Sequence, residues 1–169
     1  MLEGVQVEEA FRTFVTDRSR ALCRMAFLMT GDWQRAEDLV QEALVRVYER
    51  RERLRDVDAL EPYTRRVLVT IFLGWRARRW NAEQPVEHLP EGPAADSAGT
   101  AEDRDLTWRA ILRLPRQQRA AVVLRFYEDM TEQDIAAVLG CSPGAVKSHL
   151  HRALARLRAD TSLTGERTR

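Results

Sequence analysis

Apolar residues recur at Phe11, Phe14, Val15, Leu22, Met25, Ala26 and Met29, the three-and-four spacing of one buried helix face, so a helix is predicted over residues 7 to 29. Thr30-Gly31-Asp32 then ends it and caps the next. That second helix, about 33 to 50, places Ala36, Leu39, Val40, Ala43, Leu44, Val47 and Tyr48 on its core stripe. Its other face carries Glu37, Asp38, Gln41, Glu42 and Arg46. After a break, residues 102 to 114 read as a helix with Leu106, Ala110, Ile111 and Leu114 inward, and Pro115 opens another that runs to 127.

Two short patterns then meet at a turn in residues 131 to 158. Thr131 fits an N-cap with Asp134 completing a box-like pair, Ile135, Ala136 and Leu139 mark a buried face, and Gly140 supplies a left-handed stop. Ser142 caps the following helix and Pro143 fills its first turn, where a missing N–H costs nothing. In that helix Val146, Leu150, Ala153, Leu154 and Leu157 point inward, leaving Gly144, Ser148, Arg152 and Ala155 opposite, flanked by Lys147, His151 and Arg156. Residues 142 to 158 hold four Lys or Arg and no acid, so the unit reads as a helix-turn-helix whose second helix enters a major groove. A two-helix corner with a solvated basic face is the plainer reading of the same charges.

Composition narrows the classes. At 169 residues, 44% hydrophobic and 31% charged, the chain suits one domain or two small ones. The formal net charge is only +1, so affinity for nucleic acid must come from local segregation of charge. Residues 50 to 80 provide it, with nine arginines against four acids, interleaved with Tyr63, Phe72, Trp75 and Trp80. Such a mixture suits single-stranded or opening DNA; in a plain bundle the rings are core. Residues 81 to 101 hold three prolines, two glycines and four acids without a Lys or Arg, the composition of a flexible acidic linker.

Other chemistry is sparse. Cys23 and Cys141 give neither a disulfide framework nor a zinc site, and no Glu-x-x-His pair, nucleophile elbow or phosphate loop occurs, so no metal, cofactor or enzyme activity is expected. The longest apolar stretch, residues 67 to 75, falls short of the ~18 residues of a membrane span, and the acidic N-terminus does not look like a signal. A cytoplasmic protein without membrane contact is expected. The predicted fold is all-α: a helical bundle at 7–80, the linker at 81–101, a helix-turn-helix domain at 102–160 and a polar tail at 161–169.

The motifs AEDLVQEALVRVY at 36 to 48, PYTRRVLVTIFLGWRARR at 62 to 79 and LPRQQRAAVVLRFYEDMTEQDIAAVLGCSPGAVKSHLHRALARLR at 114 to 158 together resemble the bacterial RNA polymerase sigma factors of the extracytoplasmic-function group. The arginine-rich composition and the phrase RRVLVT look like its actinobacterial SigE-like branch. The resemblance implies that 7–80 binds core polymerase and the promoter −10 element, and that 102–160 binds the −35 element. It puts Asp38, Leu39, Gln41 and Glu42 where the family docks on the β′ clamp, with the β flap as a second polymerase contact. It puts Leu54 and Thr70 beside a pocket for a flipped −10 base, where the family commonly has an aromatic residue and an asparagine. Tyr63, Arg65, Arg66, Arg76, Arg78 and Arg79 fall near the adjoining DNA. In the recognition helix the −35 set is Ser142, Gly144, Lys147, Ser148, His149, His151, Arg152 and Arg156, with His149 replacing a frequent arginine. An anti-sigma factor is a further possible partner.

The function expected on this basis is a dissociable initiation subunit that selects promoters and promotes melting without covalent chemistry. A stand-alone helix-turn-helix regulator is the alternative. It leaves the acidic face at 37 to 42 and the basic-aromatic helix without a role, and it wants a two-fold partner to span two half-sites.

Overall fold

The computed structural model describes residues 4–54, 56–75 and 100–160. Among them are seven α-helices and no strand: α1 Gly4–Thr30, α2 Trp33–Arg50, α3 Leu60–Gly74, α4 Ala101–Leu112, α5 Arg116–Val122, α6 Glu132–Leu139 and α7 Pro143–Ala159. Two single 3-10 turns, Arg51–Arg53 and Val57–Ala59, carry the chain from α2 to α3.

The sequence punctuation acts where expected in the first bundle. Gly31 takes φ 76°, a left-handed conformation that only a residue without Cβ adopts at no cost, and it reverses the chain between α1 and α2. Asp32 caps α2 by accepting the Arg35 N–H at 2.8 Å. The core of α1, α2 and α3 comes from Phe11, Phe14, Leu22 and Met25 on the first helix, Ala36, Leu39, Val40, Ala43 and Val47 on the second, and Leu68, Val69 and Phe72 on the third. Tyr48 departs from its expected core place: it is 37% exposed. Its ring packs beside Phe11, its hydroxyl donates to Glu8 Oε2 at 3.1 Å, and the Arg51 guanidinium covers it at 3.7 Å. The amphipathic tyrosine thus closes the rim of the core, apolar body inward and hydroxyl in water.

The second bundle begins with a full capping box at Thr100 and Asp103. Its helix α4 buries Ala110 and Ile111 as expected, while Leu106 is only half-buried and Trp108 is fully buried. The segment after Pro115 is α-helical to Val122 and then widens into a π turn over Val123–Tyr127. There the Glu128 N–H reaches Val123 O at 3.1 Å, and Arg125 Nη1 holds Met130 O at 2.9 Å.

The two bundles share one hydrophobic core. Phe27 of α1 is stacked between Trp33, with ring centroids 4.2 Å apart, and Trp108 of α4, at 5.0 Å. A Cβ added to Gly31 would lie 3.0 Å from Leu112 Cδ1, so the α1–α2 turn fits closely against α4. Helix α6 packs on α3, and α5 reaches both α1 and α3.

Candidate nucleic-acid and partner interfaces

The helix-turn-helix has the geometry its sequence specifies. Thr131 Oγ1 accepts the Asp134 N–H at 3.1 Å, Gly140 ends α6 at φ 67°, and Ser142 Oγ accepts the Ala145 N–H at 3.1 Å. Val146, Leu150 and Ala153 then lock α7 against the bundle. Ser142, Gly144, Lys147, Ser148, His151, Arg152 and Arg156 are all exposed along the rest of the helix. Lys147 lies 3.8 Å from Glu132, an exposed pair that water screens and that a phosphate can displace. His149 does not join this face. It is half-buried and its Nδ1 is enclosed without a partner, so it lies at the edge of the packing rather than among the outward cations.

On α2, Asp38 and Gln41 are exposed and lie off the core stripe. Gln34 Nε2 donates to Asp38 Oδ1 at 3.2 Å. Glu42 is held from both sides, by Arg46 at 2.6 Å and by the Trp75 indole N–H at 3.4 Å. That contact ties the acidic-polar face to the end of α3. Leu39 is the exception among the expected docking residues, because it is fully buried and faces the core. It positions α2 and presents no surface of its own.

The residues expected to meet the −10 element divide in two. Arg66 and Thr70 are exposed on α3, and the Thr70 hydroxyl donates to Arg66 O at 2.7 Å. Its proton is used within the helix, and its lone pairs are left to accept from a base amino group. Tyr63 is half-buried with its hydroxyl accepting from Arg50 Nη1 at 3.2 Å, and Leu54 is half-buried where the first 3-10 turn ends. Arg65 is not free to follow a DNA backbone: it pairs with Glu61 at 2.7 Å and with Glu128 of the second bundle at 3.0 Å. Arg76, Arg78 and Arg79 lie outside the described residues.

Sequence reasoning missed the polar groups between the bundles. Arg119 Nη1 donates to Met29 O at 2.7 Å, while its Nη2 donates to Leu112 O and, at 3.1 Å, to Leu114 O. It therefore collects carbonyls that follow or end α1 and α4, where the helix dipoles are negative. Among the described residues it has no carboxylate partner, and burial with Arg116 nearby lowers its pKa to about 10. Arg116 reaches Phe72 O at 3.5 Å from the same side. Glu61 also pairs with Arg18, so Arg18, Glu61, Arg65 and Glu128 form one chain of charges across the two bundles. Burial is the first cause that raises the Glu128 pKa, and Glu61 adds to it against the pull of Arg65, Arg18 and Arg24. No lone arginine in a sequence announces such a role.

Two helical bundles, one bearing a basic helix-turn-helix and the other an acidic-polar face beside arginines and aromatic rings, have the form of a helix-turn-helix DNA-binding protein. Among the described residues no helix is long and apolar enough to cross a membrane, and no cluster of side chains could hold a metal ion. Residues 14–81 match the family model described as Sigma-70 region 2, and residues 104–157 match Sigma-70, region 4. The chain is 42% identical to the RNA polymerase sigma-E factor of Streptomyces coelicolor over 89% of its own length and 85% of that protein. It is 30% identical to the ECF RNA polymerase sigma factor SigL of Mycobacterium tuberculosis, over 93% of each. The fold is shared with the sigma factor RpoE of Bartonella quintana, solved in complex with the anti-sigma factor NepR, at a TM-score of 0.69 and 24% identity over 93% of this chain and 98% of that one. The chain belongs to the sigma-70 family, in its extracytoplasmic-function group, and is an alternative sigma factor.

Proposed function

We propose that the work of initiation is divided between the bundles, residues 7–80 acting on core polymerase and the −10 element and residues 102–160 on the −35 element, with 81–101 as tether and 161–169 as tail. The observation that carries this reading is the exposed cationic face of α7, fixed by Ser142 and backed by Val146 and Leu150. Gly144 and Ser148 are small enough for the helix to approach base edges, Arg152 reads a base, and Lys147, His151 and Arg156 bind phosphates.

On α2, Asp38, Gln41 and Glu42 dock on the β′ clamp while Leu39 holds the helix from behind, and the β flap is the second polymerase contact. Because Trp75 bonds Glu42, docking also fixes the end of α3 from which Arg76, Arg78 and Arg79 follow. Leu54, Tyr63, Arg66 and Thr70 then receive a −10 base drawn out of the stack, which costs a few kcal/mol that polymerase-mounted binding at both elements offsets. The chain performs no covalent chemistry, works in the cytoplasm, and is open to control by an anti-sigma factor, the kind of partner seen with the Bartonella quintana protein.

A run-off assay with the purified chain, core polymerase and fragmented genomic DNA tests the division of labour. A core-dependent transcript from a defined start is expected, with weak gel-shift binding by the chain alone. Tight specific binding by the chain alone, with no core-dependent transcript, would favour a stand-alone regulator.

A further inference from the structure

Of the 27 Lys and Arg residues in the chain, Lys147 is the only lysine. The two residue types differ in reactivity as well as in shape. A guanidinium stays protonated in water and is no nucleophile, whereas an ammonium that loses its proton becomes an amine that attacks activated acyl groups. The chain therefore holds a single side-chain amine, and the fold puts it on the outward face of α7. The Lys147 side chain is 70% exposed, and among the described residues its Nζ pairs only with Glu132, 3.8 Å away on α6. Gly144 and Ser148, beside it on the helix, are exposed and small, so they leave the approach to Nζ open.

We propose that Lys147 is an acylation site, modified by a small activated acyl donor of the acyl phosphate or acyl thioester class, and that the modification lowers the affinity of the sigma factor for the −35 element. The unprotonated Nζ attacks the acyl carbonyl carbon and forms a C–N bond. The C–O bond to phosphate or the C–S bond to the thiol breaks, the leaving group takes the bonding pair, and the amine proton passes to water. What remains on the helix is a neutral amide. It keeps the stem of the side chain and loses the charge, so it neither attracts a DNA phosphate nor pairs with Glu132. Residues 142 to 158 hold four Lys or Arg and no acid, and one acylation removes one of those four charges. Because the Lys147–Glu132 pair is exposed and screened, its loss leaves α7 seated on Val146, Leu150 and Ala153. The effect falls on DNA binding and not on folding. An arginine at this position would bind the same phosphate and could not be switched.

This inference rests on the reading of α7 as the −35 helix, and its test separates the two. The purified full chain is incubated with acetyl phosphate in one arm and with acetyl-CoA in the other. Hydroxylamine then removes acyl groups from thiols and imidazoles and leaves the amide. Peptide mass mapping should place an acetyl group on Lys147, and the arm that labels it faster identifies the donor class. Lys147→Arg should take none at that position. Adding a fragment shown to support core-dependent run-off to the chain assembled with core polymerase should slow the labelling, since DNA covers Nζ.

Assembled with core polymerase, the acetylated chain and Lys147→Gln should bind that fragment several-fold more weakly. The slope of log affinity against log salt should be shallower by about 1, while Lys147→Arg keeps the parent values. Circular dichroism should be unchanged in all three. Absence of acetyl from Lys147 in both arms, labelling far slower than that of N-α-acetyl-lysine amide, labelling indifferent to DNA, or an acetylated chain that binds as the parent does would each overturn the proposal. Arg152→Ala controls for the reading beneath it. If that variant also binds the fragment like the parent, α7 is not the −35 helix; if it alone loses affinity, the helix keeps its assignment and the acylation switch falls.

Discussion

Arg152 and Arg119 belong to the same bundle and differ only in what surrounds them. Arg152 stands on the outward face of α7, exposed, on a helix whose inward face is already satisfied by Val146, Leu150 and Ala153. Arg119 is mostly buried, bonded to three carbonyls, and its charge is disfavoured enough to bring its pKa down to about 10. One guanidinium is offered to a ligand; the other is spent within the molecule. Counting arginines therefore says little about DNA binding in a chain where 26 of 27 cations are arginine, and the geometry of each decides. The same division separates Arg66, exposed on α3, from Arg65 beside it, which Glu61 and Glu128 hold.

The contrast between outward faces and the inter-bundle contact is broken most severely by Trp108→Ala. Its ring is fully buried against Phe27, and removal leaves a cavity that should cost about 3–5 kcal/mol in denaturant unfolding. Arg152→Ala in the same experiment should change stability by less than about 0.5 kcal/mol. Equal losses would show that the two regions are not energetically distinct.

Much of this architecture is legible in the sequence because its signals are local. Asp32, Thr131, Gly140, Ser142 and Pro143 stop or start helices through bonds to neighbours a few residues away, and the stripe of α2 needs only its own periodicity. The exposed face of α7 follows from the buried one. Phe27, Trp108, Arg119 and Glu128 are different. Phe27 falls next to the stripe of α1, and Trp108 falls beside Leu106, which has the better spacing and the worse burial. Both face another bundle, and the periodicity of a single helix marks one buried side without saying what a second partner will cover. Tyr48 shows the converse, a residue with core spacing that the end of the bundle leaves at the rim. The π turn at Val123–Tyr127 left no mark that residue preferences record.

Next in size is the effect of Asp38→Arg with Gln41→Ala on an outward face. Both side chains are exposed and neither supports the core, so circular dichroism should be unchanged while pull-down of core polymerase falls by at least about tenfold. Retained binding at the parent level would remove α2 as the docking face and leave its acidic side as solvated surface. Arg152→Ala comes third. It should weaken the −35 duplex by about tenfold to a hundredfold and relax preference at one base pair, as loss of a base contact does, with polymerase association intact. A change confined to the salt dependence would reassign Arg152 to a phosphate.

The smallest effect is electrostatic and belongs to the contact between the bundles. Glu128 has its pKa raised from 4.5, first by burial and then by Glu61 of α3, against Arg65 of α3 and Arg18 and Arg24 of α1. The folded chain thus holds a proton on Glu128 more readily than the unfolded chain, in which the group returns to water and its ordinary value. By linkage, this contribution to stability is fully present below pH 4.5 and is lost as pH rises through the raised value. The stability of the chain against denaturant should therefore fall as pH climbs through that window. Glu128→Gln stays neutral at every pH, so it should flatten the profile even though it weakens the bond to Arg65. If the variant kept the parent's pH profile, a group other than Glu128 would be titrating, and the polar contact between the bundles would not be the source of the dependence.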